Sequence, residues 1–450
     1  MTKPDKEQRR VEAEVAMASS KADPLVHSSG PKEPETVVVV IGRLFSVPPE
    51  AGTPRPFHLL TRLRDRARLL GVAVVADLEP ACQRFIERPE IAALFDRSWL
   101  FHRRTSSSAL AHVRTLLAGR PPFDLRYKDP DTLASVHKRM HDLVRDEGPL
   151  VFYCLGLPSL QWIPEQYWQA TLLDAIDAMS MATARRIKAD QQISPIAKLG
   201  LRLALPAQQR YEGTVLARLG AVVYNSSLDV EYMRRLCPGA PIRRVIDGVD
   251  ASYFSPEASP EVEEGDEDIL FFGDMTFAPN LDAAHQLVEH IMPLVWSRCK
   301  NARAILIGPD PPESLRRLHD GQRVIVTGFV DDLRPYLKRC AVVASPLRFG
   351  AGMKNKLQAG LAMRKAMVVS TVTVEGFDDL EPGRHAIVAD EPGQFAEAVT
   401  ELLQDRTRRR EMAEAGRVLI LRSYTWESAS RALWEAFGGC ELASAPRKNC

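Results

Sequence analysis

Cysteine is sparse and unpatterned in this chain, with seven residues at 82, 154, 237, 299, 340, 440 and 450 and no Cys-x-x-Cys spacing. That excludes a disulfide framework and a zinc-ligand pattern, and a reducing, cytoplasmic setting fits. Long apolar runs are missing as well. No stretch of roughly 18 apolar residues occurs, so no membrane span is expected, and the opening MTKPDKEQRRVEAEVAMASS has no apolar core of the signal-peptide kind. Nor is there an excess of one charge. Lys plus Arg (59) nearly balances Asp plus Glu (58), so nothing global argues for nucleic acid. Finally, no Gly-x-Gly-x-x-Gly follows the first predicted strand, where the residues are Gly42, Arg43, Leu44 and Phe45. A dinucleotide-dependent oxidoreductase is therefore disfavoured.

What is present is an ordinary globular composition, 45% hydrophobic and 26% charged, on 450 residues, enough for two domains with a core each. Residues 1–35 are polar and read as a disordered arm, as does the tail 439–450. TVVVVIG (36–42) is β-branched and apolar throughout, as a strand buried on both faces of a parallel sheet would be. A Pro/Gly loop follows, then a helix expected from Phe57 to Leu70 and a strand from Val72 to Ala76. That helix sets Leu59, Leu60, Leu63, Ala67 and Leu70 against Arg62, Arg64, Arg66 and Arg68. It is either a solvated basic face or a site for anionic lipid headgroups. The alternation of strands and helices continues to an acidic linker at 257–268 and resumes after it, which predicts two doubly wound α/β domains, 36–256 and 269–425.

The most informative stretch is SPLRFGAGMKNKLQAGLAMRKAMVVSTVTVEGF (345–377), read as strand, glycine loop, helix from about Met353 to Met363, and strand. Gly350 and Gly352 let the backbone pass close to a ligand, and the helix start behind them offers N–H groups to an anion. Arg348, Lys354 and Lys356 add cations, so a phosphate or diphosphate suits this turn, although a helix with lysines on its polar face reads the same way.

Four blocks stand in order here: FFGDMTFAPNLDAA (271–284), AILIGPDPP (304–312), VIVTGFVDDLRPYLKRCAVVASPLRFGAGMKNK (324–356) and VVSTVTVEGF (368–377). Together they resemble the C-terminal half of family 4 glycosyltransferases of the GT-B fold, especially the branch found in bacterial polysaccharide clusters. With the N-terminal half included, the resemblance runs from about Val37 to Phe437. It implies two facing Rossmann-like domains and a last helix, 426–438, crossing back to the first. It further implies a nucleotide-diphosphate sugar held by the second domain at Gly273, Arg348, Gly350, Gly352, Met353, Lys354, Lys356, Glu375, Gly376 and Phe377. A loop around Gly52 and Arg55 would face the acceptor, and Asp174 and Asp177, at the end of a strand in TLLDAIDAMSMATARRIK (171–188), would orient or deprotonate its hydroxyl.

The activity so implied is a retaining, metal-independent sugar transfer to a polysaccharide, lipid-linked or small-molecule acceptor, with no cofactor and no metal site. Asp129-Pro130-Asp131 is then a helix start rather than a metal motif. Peripheral contact with the inner membrane face is a further implication. Two departures stand out. Ala359 occupies the place where the family carries a ribose-binding Glu, and Asp247 replaces the Asn of a Pro-Asn-Gly-Val-Asp block. The first supports an alternative from another class, a GT-B protein that kept the fold without donor turnover and acts as a binding or partner-stabilising subunit.

Overall fold

A computed structural model describes residues 34–42, 55–76, 88–103, 129–190, 193–262, 265 and 267–444. Gly52, nearly all of the N-terminal arm and the last residues of the tail lie outside them. The first sheet is built from β1 (Thr36–Ile41), β2 (Arg68–Ala76), β3 (Arg97–Arg103), β4 (Val151–Leu155), β5 (Thr171–Ile176), β6 (Ala221–Tyr224) and β7 (Ile242–Arg244). All pairings are parallel, in the order β3-β2-β1-β4-β5-β6-β7. Between the strands run α1 (Arg55–Arg64), α2 (Pro130–Asp146), α3 (Met179–Ala189), α4 (Pro195–Val215) and α5 (Ser227–Leu236). The second sheet holds β8 (Asp268–Phe272), β9 (Arg303–Ile307), β10 (Val324–Gly328), β11 (Val342–Ser345), β12 (Ala366–Val369) and β13 (Ile387–Val388), again all parallel, in the order β10-β9-β8-β11-β12-β13. Its helices include α6 (Ala278–His285), α7 (Arg334–Arg339), α8 (Asn355–Ala362), α9 (Pro392–Gln404) and α10 (Arg406–Ser423).

Both sheets reverse their strand order once. In the second the reversal lies between β8 and β11, so the turns after Phe272 and Ser345 flank the crevice where open α/β sheets bind ligands. The apolar runs at 36–41 and 342–345 are buried on both faces, as parallel strands covered by helices must be. The last helix, α11 (Trp426–Phe437), leaves the second domain and packs on the first. Its Trp426, Ala429, Leu433, Ala436 and Phe437 share one core with Val37, Val39, Leu59, Leu60 and Tyr153. Trp426 also stacks on His58, ring centroids 4.7 Å apart, and Gly248 passes so close that a Cβ would lie 2.4 Å from the Trp426 nitrogen.

Three elements depart clearly from their expected bounds. The first helix stops at Arg64 and β2 begins at Arg68, because Leu69 and Leu70 are both fully buried in register with Val37 and Val38. Burial of successive residues suits a strand covered on both faces, not an amphipathic helix. The glycine-loop helix begins at Asn355 rather than Met353, since Gly352 has φ +69° and Lys354 is still extended.

The basic side of the first helix has its charges engaged. Arg62 pairs with Glu427, Arg64 with Asp96 and Arg68 with Glu147, while Arg66 lies over the Trp434 ring. Among the described residues no helix is long and apolar enough to cross a membrane.

Candidate active site

The glycine loop after β11 sits at the switch point of its sheet and meets the end of β5 from the other domain. Gly352, at φ +69°, is tightly enclosed: a Cβ there would stand 3.1 Å from the Asn225 side chain and 3.2 Å from Asp177 Cβ. The Gly352 N–H donates to Asp229 Oδ2 at 3.1 Å and the Met353 N–H to Asn225 Oδ1 at 3.1 Å. Two N–H groups suited to an anion thus face a carboxylate and an amide oxygen of the first domain. Asp229 also accepts from the Ala178 N–H, and its own N–H donates to the Oγ of Ser226, the N-cap of α5, which fixes its position.

Lys354 and Lys356 are both largely buried. Lys354 turns its amine onto the carbonyls of Ala351 and Gly352, and burial lowers its pKa although Glu375, Asp229 and Asp177 oppose that. Lys356 is the more isolated. Its amine donates to Asn280 Oδ1 at 2.5 Å and lies 4.5 Å from the Phe271 ring centre. Burial, with Lys354 adding to it, pulls the amine down to about 7. Among the described residues no carboxylate pairs with it. Asn280 in turn packs against Gly273, whose φ of +154° and missing Cβ let the turn after β8 close over it.

Across the cleft, Asp177 is half-buried at the end of β5. Burial, then the neighbouring Asp229 and Asp247 carboxylates, push its pKa up to about 6, with Lys354 pulling the other way. The residue before it, Ile176, holds φ +68°, a conformation rare for a β-branched side chain and paired with a bulge between β5 and β6. That strained turn re-aims Asp177 out of the sheet and toward Gly352. Asp174 takes the opposite course. It is fully buried, accepting from Arg55 Nε at 3.0 Å and from the Tyr153 hydroxyl at 2.7 Å.

Arg55, expected in a cleft-facing loop, is instead the first residue of α1 and also fully enclosed. It donates to Asp174, to Asp247 Oδ1 at 2.6 Å and to the Ile246 carbonyl. Burial works against its charge, and the Asp174 and Asp247 carboxylates outweigh it and hold the guanidinium protonated. The Asp at 247 is therefore matched to Arg55, and its second oxygen accepts from Asn225 Nδ2 at 2.9 Å.

The remaining expected residues divide. Glu375 pairs with Arg185 of α3, which also donates to the Gly350 carbonyl, so both stand at the domain contact. Gly376, at φ +87°, lies against Met353 and Ser226. Arg348 is bound to the buried Asp282, and Phe377 packs on Tyr424 in the core. Ala359 is buried with no polar group to offer, and its neighbour Gln358 donates to the Asp247 carbonyl at 2.6 Å, a tie between the domains. Arg185, Asn225, Asp229 and Glu212, none of them among the expected site residues, join the site. Glu212 of α4 accepts from the Ser180 N–H, its second oxygen has no partner, and burial pushes it up to about 7. Among the described residues no group of three or more His, Cys, Asp or Glu side chains is placed to hold a metal ion.

Residues 266–405 match the family model described as glycosyl transferases group 1. No curated protein matches the chain. Among solved structures, a glycosyltransferase from Rickettsia africae superposes with TM-score 0.61 at 11% identity, covering 90% of this chain and 98% of that one. Staphylococcus aureus TarM, solved in complex with fondaparinux, alpha-GlcNAc-glycerol and UDP, gives 0.62 at 10%, covering 90% and 99%. Anabaena HepE in complex with UDP-glucose gives 0.58 at 12%, covering 89% and 98%. The chain thus has the GT-B fold over both domains, and its residues 266–405 are similar to the glycosyl transferases group 1 family.

Proposed function

We propose that the protein transfers a sugar from a nucleotide-diphosphate donor to a carbohydrate or carbohydrate-bearing acceptor, retaining the anomeric configuration and without a metal. The observation that carries this reading is Lys356, a buried amine with an amide and a ring face for neighbours and, among the described residues, no carboxylate to neutralise it. A buried cation of that kind is costly unless an anion joins it. A diphosphate at the switch point would meet Lys356, Lys354 and the N–H groups of Gly352 and Met353. It would displace Asp229 and Asn225 from those two donors, which requires the domains to part and reclose.

As the bond from the sugar C1 to the diphosphate oxygen breaks, its electron pair goes to the leaving phosphate, where these cations and N–H groups stabilise it. The acceptor oxygen bonds to C1, and its proton passes to a basic oxygen at the site. Asp177, opposite the loop and raised to about 6, is placed to orient that hydroxyl. UDP in two of the structural neighbours supports a nucleoside diphosphate, and membership of family 4 and of a polysaccharide pathway rests on the block resemblance.

Ala359 favours a second reading, a GT-B protein without donor turnover that serves as a partner-stabilising subunit. One titration separates the two. Calorimetry against UDP, GDP, dTDP and their sugar conjugates should show binding of one nucleotide, lost in Lys354→Ala with Lys356→Ala. If none binds, while Ala359→Glu binds, the non-catalytic reading stands.

A further inference from the structure

We propose that the first half of α4, with the end of α3, docks the protein on an anionic lipid surface. Residues 195–207 read PIAKLGLRLALPA, apolar except for Lys198 and Arg202, and none of them is buried. Burial on α4 begins only at Gln208, beyond the internal Pro206. Of the seven large hydrophobic side chains that the described residues expose, three stand here: Ile196, Leu199 and Leu203, 85%, 56% and 73% exposed. The others, Phe277, Leu294, Phe329 and Val418, stand singly along the chain. The spacing i, i+3, i+7 sets the three on one stripe, and that stripe points away from the protein. A helix apolar on the side it packs and on the side it exposes is poorly suited to water.

Charge says what covers it. Between Met179 and Tyr211 the chain carries six Lys and Arg residues and a single carboxylate, Asp190, which is buried and paired with Arg186. Arg185 is spent on Glu375. Lys188, Lys198, Arg202 and Arg210 have no carboxylate partner among the described residues, in a chain whose net charge is only +1. Apolar side chains ringed by unpaired cations are the pattern of a helix lying in a lipid interface with anionic headgroups. A second copy of the chain fits less well, because a two-fold contact would set these cations against themselves. The hairpin borders the cleft, since Arg185 on α3 bonds the Gly350 carbonyl and Thr183 bonds Gln208 of α4. Docking would therefore bring the cleft to the lipid surface, and it does not depend on the transferase reading.

The test is co-sedimentation of the full chain with vesicles of phosphatidylcholine alone or with about 30 mol% phosphatidylglycerol. Binding to the anionic vesicles is expected, weakening with salt. Leu199→Asp with Leu203→Asp should lower the partition coefficient at least roughly tenfold with an unchanged melting temperature, and Lys198→Glu with Arg202→Glu should remove the preference for the anionic lipid. Wild-type protein left in the supernatant at low salt, or equal sedimentation of the leucine variant, would overturn the proposal. So would a wild-type dimer that the leucine variant dissolves, or binding of the patch to an acidic protein with none to vesicles.

Discussion

Replacing Lys356 with methionine should stabilise the free protein at low pH and cease to do so at high pH. The buried amine falls from 10.5 to about 7, through burial first and Lys354 second. Each tenfold change in proton affinity corresponds to about 1.4 kcal/mol, so keeping this amine charged inside the fold costs on the order of 4–5 kcal/mol near pH 6. Between pH 7 and pH 10.5 the unfolded chain binds the proton and the folded one does not, so wild-type stability rises with pH across that window. Methionine has no such dependence.

Its advantage therefore shrinks by about 3 kcal/mol from near pH 6 to near pH 9.5. Against it stand two losses independent of pH. Asn280, largely buried, is left without its donor, at about 1–3 kcal/mol. The contact of the cation with Phe271 accounts for about 1 kcal/mol more. Lys356→Met should thus be more stable than wild type by about 1–2 kcal/mol near pH 6 and less stable by a similar amount near pH 9.5. Urea unfolding followed by circular dichroism at the two pH values measures this. A difference between the proteins that does not change with pH would refute the picture of a buried, uncompensated amine.

Other variants probe the neighbouring groups. Arg55→Met leaves Asp174 and Asp247 buried without their cation and should cost about 3–5 kcal/mol in urea unfolding. Asp247→Asn should cost less, about 1–2 kcal/mol, because Arg55 keeps Asp174. For Glu212, raised from 4.5 to about 7, the folded state holds the proton more tightly, so wild-type stability falls as pH rises through that window. Glu212→Gln should flatten that slope and be the more stable protein near pH 8, as thermal melts across pH would show.

The architecture was legible because two-faced burial leaves a plain mark. Runs such as TVVVVI and VVAS admit few readings other than covered parallel strands, and the last helix, expected at 426–438 from the family resemblance, spans Trp426–Phe437. The start of β2 was not legible, since RARLL carries the alternating charge of a helix end until its pairing with β1 is seen. At the site, the glycines declared the loop because only they tolerate its backbone. The partners of charged groups did not declare themselves. Asp174 on β5 and Asp177 just past its end lie three residues apart, yet one is locked onto Arg55 and the other faces the cleft, and what separates them is the turn at Ile176. Asp229 reaches Gly352 across a separation of 123 residues, which no local pattern encodes.

The central claim is that a nucleoside diphosphate supplies the missing counter-charge to Lys356. Titrating UDP into the protein near pH 8, in two buffers of different ionisation enthalpy, reads the protons exchanged on binding. An amine with a pKa of about 7 is largely neutral there, and an adjacent diphosphate recharges it, so uptake approaching roughly 0.9 proton per nucleotide is expected, abolished in Lys356→Met. Binding with no proton uptake, or uptake that persists in Lys356→Met, would contradict the account.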